Sequence, residues 1–222
     1  MDGFEVEAFA LAITGPARAG VGVLEGGQRG GGMGKMVFDL LVSLLLLLPL
    51  FACALCLILL NPFLNRGPLF FRQRRMGLDC EPFTALKFRS MVPARAVSRG
   101  PFDPLEEGRI GALGRLIRRL RIDELPQIIN VLRGEMSLIG PRPDSYDHAS
   151  VYLRTVPGYR DRHAVLPGIS GLAQTEVGYV DSPDSIRRKV ACDLDYVMRA
   201  SLALDLRIAL RTVWVVLTAA GR

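Results

Sequence analysis

From Leu40 to Leu60 the chain reads LLVSLLLLLPLFACALCLILL, an uncharged apolar run long enough to cross a bilayer as a helix. No other feature narrows the fold so far. Pro49 sits near the middle of the run, where it removes one backbone N–H and crowds the preceding turn, so the sequence predicts a kink or a break there. Asn61-Pro62 is expected to end the helix. Two topologies follow: a single span, or a re-entrant helix that enters and leaves on one face. Arg29 and Lys35 precede the run and Arg66, Arg72, Arg74 and Arg75 follow it, so both flanks read as cytoplasmic.

A mean hydropathy of +0.26 in a chain with 23% charged residues means that the apolar residues are clustered. This much Leu, Ile and Val excludes disorder for most of the chain. The four cysteines, Cys53, Cys56, Cys80 and Cys192, are too few and too unevenly placed for a disulfide framework, and Cys53-x-x-Cys56 reads as apolar filler. With only His148 and His163, histidine metal sites and a Ser-His-Asp triad lack raw material. A start at Met33 or Met36 would create a lipobox-like Leu50-Phe51-Ala52-Cys53, but cleavage there would leave a new apolar terminus on a chain without secreted character. Residues 1–32 are Gly-rich, with Arg18 and Arg29 against Asp2, Glu5, Glu7 and Glu25. They read as a disordered or mis-assigned N-terminal extension, ahead of a membrane anchor over 33–65 and a catalytic domain over 66–222.

Beyond the anchor, Leu69–Gln73 and Pro82–Arg89 read as two short strands, paired as a hairpin across Gly77-Leu78-Asp79. Ile110, Leu113, Leu116, Ile117 and Leu120 recur at helical spacing among Arg109, Arg115, Arg118 and Arg119, which predicts a basic amphipathic helix. A second helix is expected from Pro126 to Arg133, with Gly134 just past its end. Asp123 and Glu124 stand together between these helices. They are either a capping pair or a functional one, and their position at the end of 66–121, where 13 Lys and Arg face five acids, favours an anionic substrate. The segment from Leu202 to Leu217, with Trp214, Arg207 and Arg211, suits an interfacial helix. A paired carboxylate in a cationic setting at a bilayer surface suits phosphoryl transfer, in which Asp can act as nucleophile and Glu can hold Mg²⁺. The basic stretch lacks aromatic interleaving, and nucleic acid is excluded as a partner.

Lys87-Phe88-Arg89-Ser90-Met91, Leu113-Gly114-Arg115, Asp123-Glu124-Leu125-Pro126-Gln127, Asn130–Ser137, Gly140-Pro141-Arg142-Pro143 and Pro167-Gly168-Ile169-Ser170-Gly171 follow in an order that resembles the bacterial sugar transferases, the small monotopic polyprenyl-phosphate phosphoglycosyl transferases. The resemblance covers about 36–217. It implies an α+β, helix-rich monotopic membrane protein with an N-terminal helix broken at Pro49, a small β element and amphipathic interfacial helices. It also implies transfer of a sugar 1-phosphate from a UDP-sugar to undecaprenyl phosphate, with release of UMP, on the cytoplasmic face of the inner membrane, to begin glycan assembly. Asp123 matches the family nucleophile and Glu124 its partner carboxylate, the two being placed with Mg²⁺. Lys87, Arg118 and Arg142 match basic residues of the phosphate site, and Asp205 matches a further active-site acid. Membrane lipid is an implied partner, with room for a homodimer and for downstream glycosyltransferases. The departure is Leu172–Tyr179, where an Asn and an Arg common in the family are missing and Glu176 appears. That loop bears on donor choice, and it keeps a tethered, non-catalytic scaffold as the alternative.

Overall fold

The structure, a computed structural model, describes residues 32–93, 100, 102–103, 106–176 and 182–218. The N-terminal extension expected over 1–32 lies outside the described residues except for Gly32, as does Val177–Tyr179 of the divergent loop.

Helix α1 runs unbroken over Met33–Leu64, about 48 Å at 1.5 Å per residue. Among the described residues it is the helix long and apolar enough to cross a membrane, with a mean hydropathy of 2.9 over its most apolar 18-residue window. Two expectations are corrected here: neither a break at Pro49 nor an end at Asn61-Pro62 is present, and both prolines lie inside the helix. An interior proline costs about 3 kcal/mol, chiefly through one lost i→i−4 bond and a ring clash. Packing on both sides of Pro49 offsets that cost, because Phe38, Val42 and Leu46 enter one apolar cluster while Leu47, Leu50, Ala54 and Leu57 enter another.

The buried positions of α1, Lys35, Asp39, Ser43, Leu50, Leu57 and Asn61, recur at helical spacing and form one stripe. Leu40, Leu44, Leu45, Leu48, Phe51, Leu55 and Leu59 cover the opposite, exposed face. Polar ties fasten both ends of the stripe. The Lys35 ammonium lies 2.8 Å from Asp205 Oδ2 and donates to the Ile139 carbonyl at 2.9 Å, and the Tyr196 hydroxyl donates to Asp205 Oδ1 at 2.7 Å. Asp39 accepts from the Ser137 hydroxyl and the Leu138 N–H. At the far end Asn65 donates to the Arg89 carbonyl at 3.0 Å and accepts from the Arg89 guanidinium at 2.7 Å.

Strands β1 (Phe70–Met76) and β2 (Pro82–Phe88) form the expected antiparallel hairpin, with Phe70 opposite Phe88 and Met76 opposite Pro82. There follow α2 (Ala112–Arg119), α3 (Gln127–Leu132), β3 (Ser137–Ile139), α4 (Tyr146–Thr155), β4 (Gly168–Ser170), α5 (Leu172–Glu176), α6 (Pro183–Arg199) and α7 (Leu202–Thr218). The short strands β3 and β4 pair in parallel, Ser137 with Gly168 and Ile139 with Ser170. Ser182 and Ser185 close a capping box at the start of α6. Helix α7 buries Asp205 and Ile208 and exposes Leu206, Leu210, Val213 and Trp214, so its apolar outer face adds to that of α1.

Lys35→Ala leaves Asp205 buried without its cation, which costs about 3–5 kcal/mol. Denaturant unfolding in detergent should read a loss of that size, and the paired change Lys35→Met with Asp205→Leu should recover most of it.

Candidate active site

The site forms where α2 ends. A Cβ on Gly114 would collide with the Ser90 carbonyl, so the glycine of Leu113-Gly114-Arg115 lets the helix lie against the end of the hairpin. Arg121, just past the last turn of α2, adopts the left-handed conformation (φ 57°) and reverses the chain into a 3₁₀ turn, Ile122–Glu124. That turn buries both Asp123 and Glu124 at 8% exposure. The Glu124 carboxylate accepts a two-pronged bond from Arg142, whose Nη1 lies 3.0 Å from Oε2 and whose Nη2 donates to Oε1. Lys87 Nζ from β2 stands 3.5 Å from Oε1 of the same carboxylate. Strand β2 is held in place by the fully buried Asn130, which accepts from the Leu86 N–H and donates to the Thr84 carbonyl and to Glu135.

Charge separates the two acids. Burial alone would raise both, but Arg142 and Lys87 hold Glu124 well below the usual carboxylate range. Asp123 moves the other way: burial and the adjacent Glu124 push it above its ordinary value, against the pull of Lys87, Arg118 and Arg142. Burial, with Arg75 beside it, brings the Lys87 ammonium down to about 7. Asp123 Oδ1 is buried and has no hydrogen-bond partner among the described residues. The amide of Gln127, one helical turn on and wholly buried, is also without one.

Behind Arg142 lies a second layer of charge. Arg162, 1% exposed, donates to the Arg142 carbonyl at 2.6 Å and pairs with Asp193 (2.7 Å) and Asp144 (2.9 Å), while Lys189 reaches the other Asp144 oxygen at 2.5 Å. Arg75 donates to the Pro143 carbonyl at 2.7 Å. The Gly140–Pro143 segment is thus clamped from two sides and crosses β4 so closely that a Cβ on Gly168 would collide with the Gly140 backbone. Beside this layer His163 donates from Nδ1 to the Gly77 carbonyl, and burial holds its imidazole neutral, down to about 3.

A family model described as "Bacterial sugar transferase" matches residues 31–219. The chain belongs to the bacterial sugar transferase family. It is 41% identical over 193 residues to a UDP-glucose:undecaprenyl-phosphate glucose-1-phosphate transferase of Caulobacter vibrioides, covering 83% of this chain and 70% of that protein. A UDP-N-acetylgalactosamine-undecaprenyl-phosphate N-acetylgalactosaminephosphotransferase of Aeromonas hydrophila is 39% identical over 188 residues, which are 85% of this chain and 44% of the relative. The exopolysaccharide production protein PSS of Rhizobium leguminosarum is 38% identical over 185 residues, 81% of this chain and 92% of its own length. The chain therefore spans less than half of one of these relatives, about two thirds of another and nearly all of the third.

In this member of the family the fold brings Lys87, Arg118, Arg142, Asp123 and Glu124 into one electrostatic group. Asp205 is not in contact with it. Its two oxygens are taken up by Lys35 and Tyr196, so this acid fastens α7 to α1. Glu176 pairs with Arg211 of α7 at 3.2 Å on the surface. Among the described residues no group of three His, Cys, Asp or Glu side chains is arranged as a metal cage. A Mg²⁺ ion binds through one or two carboxylates, with water and substrate phosphate completing its shell. The buried, unpartnered Asp123 Oδ1 beside Glu124 fits that need. Sequence reasoning assigned no role to Arg75, Asn130 or the Arg162 group, because arginines in a strand and an acid in a helix carry no pairing information. Gln127 and Asn130 did lie inside the motifs that singled out Asp123.

The neutral imidazole of His163 has a consequence for stability. Its folded value near 3 lies below the ordinary 6.5, so the unfolded chain binds the extra proton, and stability is full above 6.5 and lost as the pH falls below it. Between pH 7 and pH 5 the loss should be about 2 kcal/mol at 1.36 kcal/mol per unit. His163→Gln should flatten the unfolding midpoint over that range by a like amount.

Proposed function

We propose that the chain is a phosphoglycosyl transferase that moves a sugar 1-phosphate from a UDP-sugar to undecaprenyl phosphate, through an Asp123 acyl phosphate. The observation that carries this reading is the unpartnered, buried Asp123 carboxylate oxygen set among Lys87, Arg118 and Arg142. The named transferases to which the chain is similar use UDP-glucose or UDP-N-acetylgalactosamine with undecaprenyl phosphate, and support the same substrate classes here.

In this mechanism one oxygen of the Asp123 carboxylate attacks the phosphorus that carries the sugar. The bond to the bridging oxygen breaks and UMP leaves with the electron pair. The phosphate oxygen of the polyprenyl acceptor then attacks the acyl phosphate, the Asp123–phosphorus bond breaks, and the free carboxylate returns. Arg142, fixed by Arg162, and Lys87 neutralise the equatorial oxygens, and Glu124 keeps the two cations aimed at one point. Asp123 and Glu124 would hold Mg²⁺, whose contribution is charge neutralisation at the diphosphate. The raised Asp123 value strengthens the carboxylate as a nucleophile once it is ionised.

The docking of α1 supports a monotopic arrangement, and the basic residues on both flanks of the apolar run favour the cytoplasmic face of the inner membrane. The contacts of α1 with the rest of the chain run from Lys35 to Asn65, about 45 Å along the helix, so a perpendicular span would put those two ends on opposite faces of a core about 30 Å thick and the domain packed between them in hydrocarbon. Lying in the interface, the helix presents its exposed leucines to acyl chains and keeps its charged stripe on the protein.

Asp123→Asn should abolish UMP release from UDP-sugars while leaving membrane association intact; full activity in that variant would rule out the acyl phosphate. Arg142→Lys keeps the charge but loses the fork, and turnover should drop by about 10²-fold. Cysteine labels placed before Leu40 and after Leu60 should both be protected from an impermeant reagent added to intact cells. Labelling of one alone would establish a span.

A further inference from the structure

Between α1, α3 and α7 lies a cavity of about 260 Å³. Its walls are apolar, from Val42 and Leu46 on α1, Ile128 on α3 and Ala209 and Val213 on α7, and at one end they reach Glu124 and Arg121. Val213 is 55% exposed, so the other end meets the apolar outer face shared by α1 and α7. Of the uncharged polar side chains on the wall, Ser170 and Thr212 are bonded to each other at 2.6 Å and Thr175 donates to the Leu172 carbonyl, which leaves Gln174, whose Oε1 is buried and without a partner among the described residues. With one such group among largely aliphatic walls, the cavity suits a hydrocarbon better than a uridine, whose base edge needs several hydrogen-bond partners.

Arg121 is the second observation. A left-handed conformation is costly for a side-chain-bearing residue, and glycine usually fills this place after a helix, yet here it holds an arginine. Arg121 is exposed, lines the cavity and helps to hold Glu124 ionised, while its guanidinium, among the described residues, makes no hydrogen bond or ion pair. Strain retained beside a catalytic carboxylate points to a side chain that is used.

We propose that the cavity takes the first isoprene units of the polyprenyl phosphate acceptor, and that Arg121 at its mouth holds the acceptor phosphate next to Asp123. This inference rests on the reading of the chain as a polyprenyl-phosphate transferase and adds where the acceptor sits. The chain enters from the bilayer between α1 and α7, so its phosphate arrives beside the turn that carries Asp123 and Glu124.

The test uses full-length protein in nanodiscs. Wild type, Arg121→Gly and Ala209→Phe are given UDP-glucose or UDP-N-acetylgalactosamine and undecaprenyl phosphate, and the UMP burst without acceptor is read apart from the acceptor KM. Arg121→Gly removes the guanidinium while relaxing the backbone, so it folds at least as well as wild type. Both variants should raise the acceptor KM tenfold or more, and Ala209→Phe, which alters only the apolar wall, should keep the burst within twofold of wild type. In parallel, a benzophenone-bearing farnesyl phosphate should crosslink wild type around Val42 and Val213, weaken in Ala209→Phe, and be displaced by undecaprenyl phosphate. A wild-type acceptor KM in both variants would overturn the proposal, as would displacement of the crosslink equally well by dioleoyl phosphatidylglycerol. If wild type gives neither burst nor transfer, the transferase reading fails, and the crosslink alone then decides what the cavity binds.

Discussion

The attachment of α1 to the rest of the chain is the constraint on which the structure depends. A 32-residue apolar helix could stand alone in a bilayer, but here its buried stripe supplies side chains to two apolar clusters and its ends are held by charge. Lys35 would be costly in a nonpolar setting without Asp205, and Asp39 without the Ser137 hydroxyl and the Leu138 N–H. These polar groups therefore specify one register of helix against domain, which apolar contacts alone define less sharply. The same contacts bring β3 and α7 to the helix, and with them the approach to the site.

The site itself is a balance of buried charge. Glu124 has a fork from Arg142 and a nearby Lys87, so its own charge is spent on holding cations. Asp123, one residue earlier in the same turn, keeps an oxygen free. That difference between adjacent acids arises from a backbone turn in which Arg121 takes a conformation that few side-chain-bearing residues adopt. Arg142 in turn owes its position to groups that never reach the substrate: Arg162 on its carbonyl, Arg75 on the next residue but one counted from Pro141, and Asp193 and Asp144 behind Arg162. Layers of this kind keep the cost of preorganisation in the folding of the protein, so that it is not met again at each turnover.

The apolar faces of α1 and α7 and the cavity between them form one continuous surface that reaches Glu124. Under the proposed function, a membrane-bound acceptor would need no release into water, and the water-soluble donor would approach the cationic group of Lys87, Arg118 and Arg142.

Much of this was legible in the sequence. The apolar run fixed the presence of α1, alternation in Leu69–Gln73 and Pro82–Arg89 predicted the hairpin, and the 3.6-residue spacing of Ile110 to Leu120 predicted α2, because each is a local pattern set by backbone geometry. The adjacency of Asp123 and Glu124 within a basic stretch was also there to be read. What the sequence could not determine is which partner each charge finds. Asp205 looked like an acid for the site and is a tether for Lys35, Pro49 looked like a break and lies within a packed helix, and the unlike behaviour of Asp123 and Glu124 depends on Arg142 arriving from 18 residues away. Local propensity decides where elements form. Burial and long-range pairing, which alter the energy of a charge or of a missing hydrogen bond by several kcal/mol, are decided only when those elements pack.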